Sequence, residues 1–184
     1  VYLELMHILT LSNRRKHYNT FKLKYNLFLA LNLNYSDNQD QAIASVDAVY
    51  NALIIDGLYQ RMTPAVSDSR SDETQSRSPW PFLSQTANFT VPATDGAVGW
   101  CYEGYYVLIN RANQALENVP NIEEVDEELR NRLLGQAYFL RALAYFKLVR
   151  VFGAVPVNLS ATPSPTDESI LTRQPASNVY NNVI

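Results

Sequence analysis

Residues 135–156, GQAYFLRALAYFKLVRVFGAVP, constrain the fold more than any other stretch of the chain. Apolar residues fill positions 137–140, 142–146, 148, 149, 151 and 152, with Arg141, Lys147 and Arg150 as the only charges. At about 100° per residue those apolar positions reach nearly every side of a helix. A surface helix carries one apolar stripe, so this one is expected to be enclosed by other helices. Its end is equally marked. Gly153 takes positive φ at a helix C-terminus without steric cost, and Pro156 prevents the helix from resuming. Arg141 and Arg150 lie about 900° apart around the axis, on opposite sides, and cannot form one anion clamp. Each is expected to pair with a carboxylate or helix-end carbonyls, or to lay its stem over apolar surface.

A chain of 184 residues, 47% hydrophobic and 18% charged, is long enough for one domain with a real core. The net charge of −3 argues against nucleic acid as partner, because no basic stripe is present to neutralise phosphates. The cluster Arg14-Arg15-Lys16-His17 is short and reads as a solvated turn. One cysteine, Cys101, allows no intrachain disulfide, and with only His7 and His17 the chain cannot assemble a zinc site of the usual ligand count. Between Trp100 and Tyr102, Cys101 reads as a buried small hydrophobe. No apolar run approaches the roughly 20 residues that span a bilayer as a helix.

Helical spacing places a first helix from Gln39, with Ile43, Val46, Val49, Tyr50, Leu53 and Ile54 on its apolar face and Gly57 near its end. Residues 63–99 are rich in Ser, Thr, Pro and Asp and read as a long loop, a feature that tends to be functional or mobile. A second helix is predicted from about Gly99 to Asn118, with Tyr102, Tyr106, Ile109, Ala112 or Asn113 and Leu116 on one face and Pro120 at its end. The acidic run Glu123, Glu124, Asp126, Glu127, Glu128 opens the third helix, where carboxylates favour the positive end of the helix dipole. The second and third helices form an antiparallel pair, and Ala142 with Phe146 echoes the Ala-x3-Phe element of tetratricopeptide repeats. From Val157 to Pro175 the chain is again Ser/Thr/Pro-rich, and a last helix begins at Ser177.

The N-terminal stretch admits two readings. Lys22-Leu23-Lys24 followed by residues 26–31, NLFLAL, has the charged-then-apolar order of a short signal sequence. Alternation of Phe21, Leu23, Tyr25, Leu27, Leu29, Leu31, Leu33 and Tyr35 reads instead as a strand, or one strand of an outer-membrane barrel. Residues 1–39 are expected to be a leader or a stretch outside the domain.

The wording FLRALAYFKLVRVFGAVPV at 139–157 resembles the helix and exit turn of the SusD/RagB family, outer-membrane nutrient-binding lipoproteins of Bacteroidota. Supporting matches follow in order: residues 42–53, AIASVDAVYNAL; Ser71-Asp72-Glu73; Trp100 through Asn113; and Arg173 with residues 179–184, VYNNVI. The resemblance covers about residues 40–184. It implies a mainly α fold, a tetratricopeptide-like helical-repeat scaffold with long loops, here the N-terminal part of a SusD-like domain that is incomplete at its C-terminus. It also implies non-catalytic oligosaccharide binding and delivery to a SusC-like TonB-dependent transporter at the extracellular face of the outer membrane. The family is held there by a lipid anchor on a cysteine, and this sequence has none before position 101. Alternatives are a peptide-binding member of the family, or a helical-repeat interaction scaffold without a small ligand.

Catalysis finds little support. Asp68, Asp72 and Glu73 would need a matching carboxyl across a glycosidic bond, and no phosphate loop, nucleophile elbow or His-containing triad is visible. No catalytic residue, metal or cofactor is expected. Sugar binding uses an aromatic platform flanked by hydrogen-bonding groups, because a sugar pairs an apolar ring face with a rim of hydroxyls. Residues 79–90 carry that chemistry in Trp80 and Phe82 between prolines, then Gln85, Asn88 and Phe89. Trp80, Phe82 and Asn88 are the candidate ligand-binding residues, Trp80 foremost, and the bland alternative is a loop anchor. Trp100, Tyr102, Tyr106 and Tyr145 read as core, and Arg173 as a tie between the last helix and the scaffold.

Overall fold

The structure, a computed structural model, describes residues 39–75, 77, 79–161 and 172–183. The expected leader therefore lies outside the described residues, apart from Gln39. Three long helices organise the described part: α1 (Gln39–Leu53), α4 (Gly96–Asn118) and α5 (Glu127–Phe152). Between α1 and α4 stand two short helices, α2 (Met62–Ser67) and α3 (Pro81–Ala87), with a 3-10 turn at Asp68–Arg70. After α5 come β1 (Val155–Pro156), β2 (Arg173–Gln174) and α6 (Ala176–Val183). The two strands pair antiparallel, Val155 opposite Gln174 and Pro156 opposite Arg173.

The helix ends follow local chemistry. Asp95 accepts a hydrogen bond from the Ala97 backbone N–H at 2.8 Å, so α4 starts three residues before the expected Gly99. Asp126 caps α5 in the same way, accepting from Leu129 N–H at 2.8 Å, with Glu127 and Glu128 in the first turn. Gly153 closes α5 at φ 73°, as its residue type predicts.

The core runs along the seams of the three long helices. Val46 and Val49 of α1, Cys101, Leu108 and Ile109 of α4, and Leu140, Tyr145 and Leu148 of α5 are all buried. On α1 the buried stripe is Ala42, Val46, Val49 and Ala52, rotated from the expected face, so that Tyr50 and Ile54 are exposed. The alanines let the helices approach where larger side chains would hold them apart. The turn after α1 comes closer still. A Cβ on Gly57 would sit 2.6 Å from the Trp100 carbonyl oxygen, and one on Gly104 would sit 2.8 Å from the Gly57 carbonyl oxygen. Only paired glycines allow that approach.

Three expectations are corrected here. Residues 63–99 are not one loop: α2 and α3 are six and seven residues long, too short to show a helical period, and both carry a proline in the first turn, where proline is tolerated. The apolar helix α5 is not enclosed all round; Tyr138 is 54% and Phe139 64% exposed, because α1 and α4 pack on its other side. Trp100 is not core, being 51% exposed. Among the described residues the fully buried tyrosines are Tyr105, which the expected face omits, and Tyr145, with Tyr102 and Tyr106 only partly buried.

Candidate functional site

The segment at 79–90 folds as a helix with a patch at each end. Trp80 is the N-cap residue of α3 and Pro81 its first position, where a missing N–H costs nothing. The Trp80 and Phe82 rings lie 5.0 Å apart, tilted by 32°. Phe82 is 2% exposed, so its ring backs Trp80, which is partly buried. Thr86 fastens the same turn by donating to the Phe82 carbonyl at 2.7 Å.

Asn88 lies past the other end of α3, exposed, its N–H bonded to the Ser84 carbonyl at 3.0 Å. Eight residues at about 1.5 Å each put it roughly 12 Å along the chain axis from Trp80. Trp80 and Phe82 thus come together, and Asn88 does not join them. Beside Asn88 stands Phe89, 72% exposed, at φ 57°. Positive φ is uncommon for a non-glycine residue, and here two bonds maintain it: Phe89 N–H to Thr86 O at 3.2 Å and Thr90 N–H to Gln85 O at 2.9 Å. The Arg70 guanidinium carbon lies 5.4 Å from the Phe89 ring centre, a cation–π contact between the turn after α2 and the end of α3.

A second polar arrangement was not anticipated from sequence. The strap at 153–161 crosses the seam of α4 and α5 and is held by side chains from both. Asn113, wholly buried, donates from Nδ2 to the carbonyls of Asn158 and Ser160 at 3.1 Å each, and its Oδ1 accepts from Arg141 at 2.9 Å. Tyr145 OH donates to the Asn158 carbonyl at 2.8 Å and accepts from its N–H at 2.6 Å. Asn110 donates to Ala161 O at 2.9 Å, Glu117 accepts from Ala161 N–H at 2.8 Å, and Tyr106 donates to Pro156 O at 2.7 Å. The available signal was polar spacing within α4: Asn110, Asn113, Gln114 and Glu117 share one face of an otherwise apolar helix.

Arg141 accordingly bonds to an amide, not to the expected carboxylate or helix-end carbonyls. Burial draws its pKa below the usual arginine value, with Tyr138 and Tyr145 acting the other way. Arg150 is exposed and lies over Phe146, its Cζ 5.3 Å from the ring centre. Arg173 ties the α6 segment back through strand pairing with Pro156. Burial pushes Tyr105 and Tyr145 up to about 12 and the Cys101 thiol to about 11. A protonated, fully buried thiol fits the small-hydrophobe role. Asp68, Asp72 and Glu73 occupy the exposed turn after α2, where Asp68 accepts from Ser67 Oγ at 2.6 Å and Glu73 N–H reaches Ser71 Oγ at 3.1 Å.

A model of a SusD-like family, described as starch-binding and associating with the outer membrane, matches residues 28–184. A SusD-like protein of Formosa agariphila is 35% identical over 97 residues, 53% of this chain and 19% of that protein. Another, from Bacteroides ovatus, is 28% identical over 129 residues, 66% of this chain and 23% of that protein. Among solved structures, a SusD superfamily protein from Parabacteroides distasonis aligns with a TM-score of 0.67 at 24% identity, covering 79% of this chain and 32% of that one. Surface glycan-binding protein A from Bacteroides fluxus aligns at 0.65 and 22%, covering 79% and 31%. At these identities the structural likeness concerns the fold, which is mainly helical and of the tetratricopeptide type found in SusD-like proteins. The matched stretches span between 19% and 32% of the lengths of these four relatives.

Proposed function

The chain belongs to the SusD-like family, and from that membership we propose that it binds an oligosaccharide without chemical change and passes it to a TonB-dependent transporter. The observation that carries this reading is the family match over residues 28–184, most of the chain. Its proposed setting is the extracellular face of the outer membrane, with a SusC-like transporter as partner. The protein acts by capture; no residue is assigned a catalytic role.

Trp80 is the proposed stacking residue. A partly buried indole backed by the sealed Phe82 ring presents a firm apolar surface to a sugar face and loses little freedom on binding. Asn88, at the far end of α3, supplies a carboxamide for sugar hydroxyls. The separation of the two residues favours an extended chain of several sugar rings over a single one. Phe89, the most exposed aromatic beside Asn88, adds a second face.

Affinity electrophoresis of the intact protein through gels containing different polysaccharides tests the reading. Retardation by at least one glycan, weakened in Trp80→Ala, is the expected result. No retardation by any polysaccharide, with transporter co-purification intact, favours a peptide ligand or a scaffold without a small ligand.

A further inference from the structure

Three cationic side chains from two separate elements line one cleft of about 250 Å³: Arg70 from the turn after α2, and Lys147 and Arg150 from the end of α5. Thr63, Ser67 and Tyr105 supply hydroxyls to the same walls. Among the described residues the one ion pair is Arg61 with Asp56, at 3.7 Å, so none of these three cations has a carboxylate partner. Asp68 and Asp72, each two residues from Arg70, and Glu73 are exposed and pair with none of the three cations, Asp68 being engaged by Ser67 Oγ. Thr63 and Tyr105 share one hydrogen bond at 2.9 Å. Two hydroxyls hold two protons and that bond uses one, so the pair keeps one further O–H as a donor at the cleft wall.

Like charges around one cleft repel each other, and the described residues pair them with no anion. The negative end of the α5 dipole accounts for Lys147 and Arg150, which lie in its last turns. It does not account for Arg70, which arrives from another element. An oxyanion from outside would satisfy the three cations together. The volume is below the roughly 300–1,000 Å³ of pockets that enclose a whole ligand, so it suits one substituent of a larger molecule. Arg70 also joins the cleft to the candidate glycan surface, because its guanidinium lies over Phe89 beside Asn88.

We propose that this cleft receives the acidic substituent of an anionic polysaccharide, a uronate carboxylate or a sulfate ester, so that the ligand class is acidic glycan. The inference rests on the glycan-binding reading above and narrows it. Arg70 and Arg150 make charge-assisted contacts to the oxyanion, Lys147 adds a third charge, and the free hydroxyl proton completes the donor set.

The test is affinity electrophoresis of the intact protein at physiological salt, with polygalacturonate, dextran sulfate and unsubstituted dextran in parallel gels. The variants are Lys147→Gln/Arg150→Gln, and Arg132→Gln/Arg130→Gln as a control of equal net charge on the far end of α5. Circular dichroism confirms folding of each. The expected result is retardation by one acidic polymer at least tenfold stronger than by dextran, lost in the cleft variant and kept in the control. The preferred polymer separates carboxylate from sulfate. Equal loss in both variants would mean general surface charge and overturns the cleft. Retardation by dextran alone, unchanged in the cleft variant, overturns the cleft and leaves glycan binding standing. Failure of every polysaccharide, neutral ones included, removes the glycan reading and this inference with it.

Discussion

Arg141 of α5 donates a 2.9 Å hydrogen bond to the Oδ1 of Asn113 of α4, and the same amide holds two strap carbonyls through its Nδ2. One buried side chain thereby ties three segments that are distant in sequence. Asn113→Leu keeps the volume and removes all three bonds, leaving a half-buried guanidinium and two carbonyls without this partner. Unfolding in urea is expected to show a loss on the order of 3 kcal/mol. A loss under about 0.5 kcal/mol, the size of an ordinary surface change, would mean that the amide does not hold the strap.

The tyrosines give an alkaline signature. Burial raises Tyr105 and Tyr145 to about 12, against about 10 in an unfolded chain. Between those values the unfolded state has lost protons that the folded state keeps, so stability falls as pH rises from about 10 to about 12. Below pH 10 both states are protonated and these groups contribute no slope. Urea midpoints measured from pH 8 to 12 should begin to decline near pH 9, where the unfolded Cys101 thiol ionises, and fall more steeply above 10, and Tyr145→Phe should shallow that steeper part. The same variant loses its two bonds to Asn158 and should cost about 1–2 kcal/mol at neutral pH.

Glycine positions divide into two kinds. Gly104→Ala places a methyl 2.8 Å from the Gly57 carbonyl and should cost about 1–3 kcal/mol through forced backbone movement. Gly135→Ala, within α5, meets nothing within 4 Å and should stabilise by up to about 1 kcal/mol through helix propensity. Thermal unfolding of the pair should move in opposite directions.

The two aromatic neighbours of α3 should also separate. Phe82→Ala removes a sealed ring and is expected to destabilise by about 3–5 kcal/mol. Trp80→Ala should cost less in stability and more in binding. Denaturation curves beside gel retardation would show whether the two roles divide this way.

Sequence legibility followed the range of the interaction. Gly153 and the end of α5 are readable because a cap acts within one turn of the residues that make it, whereas the acidic run expected to open α5 begins outside it, Glu123 and Glu124 lying in the turn before the Asp126 cap. The α1 face came out rotated because Ala42 and Ala52 carry weak hydrophobic signal yet sit where helices approach most closely. In α4, Tyr102, Tyr105 and Tyr106 lie on neighbouring sides of the helix, and periodicity alone did not select Tyr105 as the buried one. The short α2 and α3 left no period to read. Arg70 meets Lys147 and Arg150 only through the packing of separate elements, so no local pattern announces that cleft. Trp80 was visible by residue type, and its backing by Phe82 follows from the i, i+2 spacing only once the turn at Pro81 is known.

Stacking of a glycan on the Trp80 indole is the proposal on which the rest depends. Isothermal titration of the intact protein with an oligosaccharide of the polymer that retards it decides it. A saturable binding curve is predicted, with Kd raised roughly tenfold in Trp80→Ala while the helical circular dichroism is unchanged. An identical Kd in the two proteins, or no binding by the wild-type chain, would rule out Trp80 as the stacking residue.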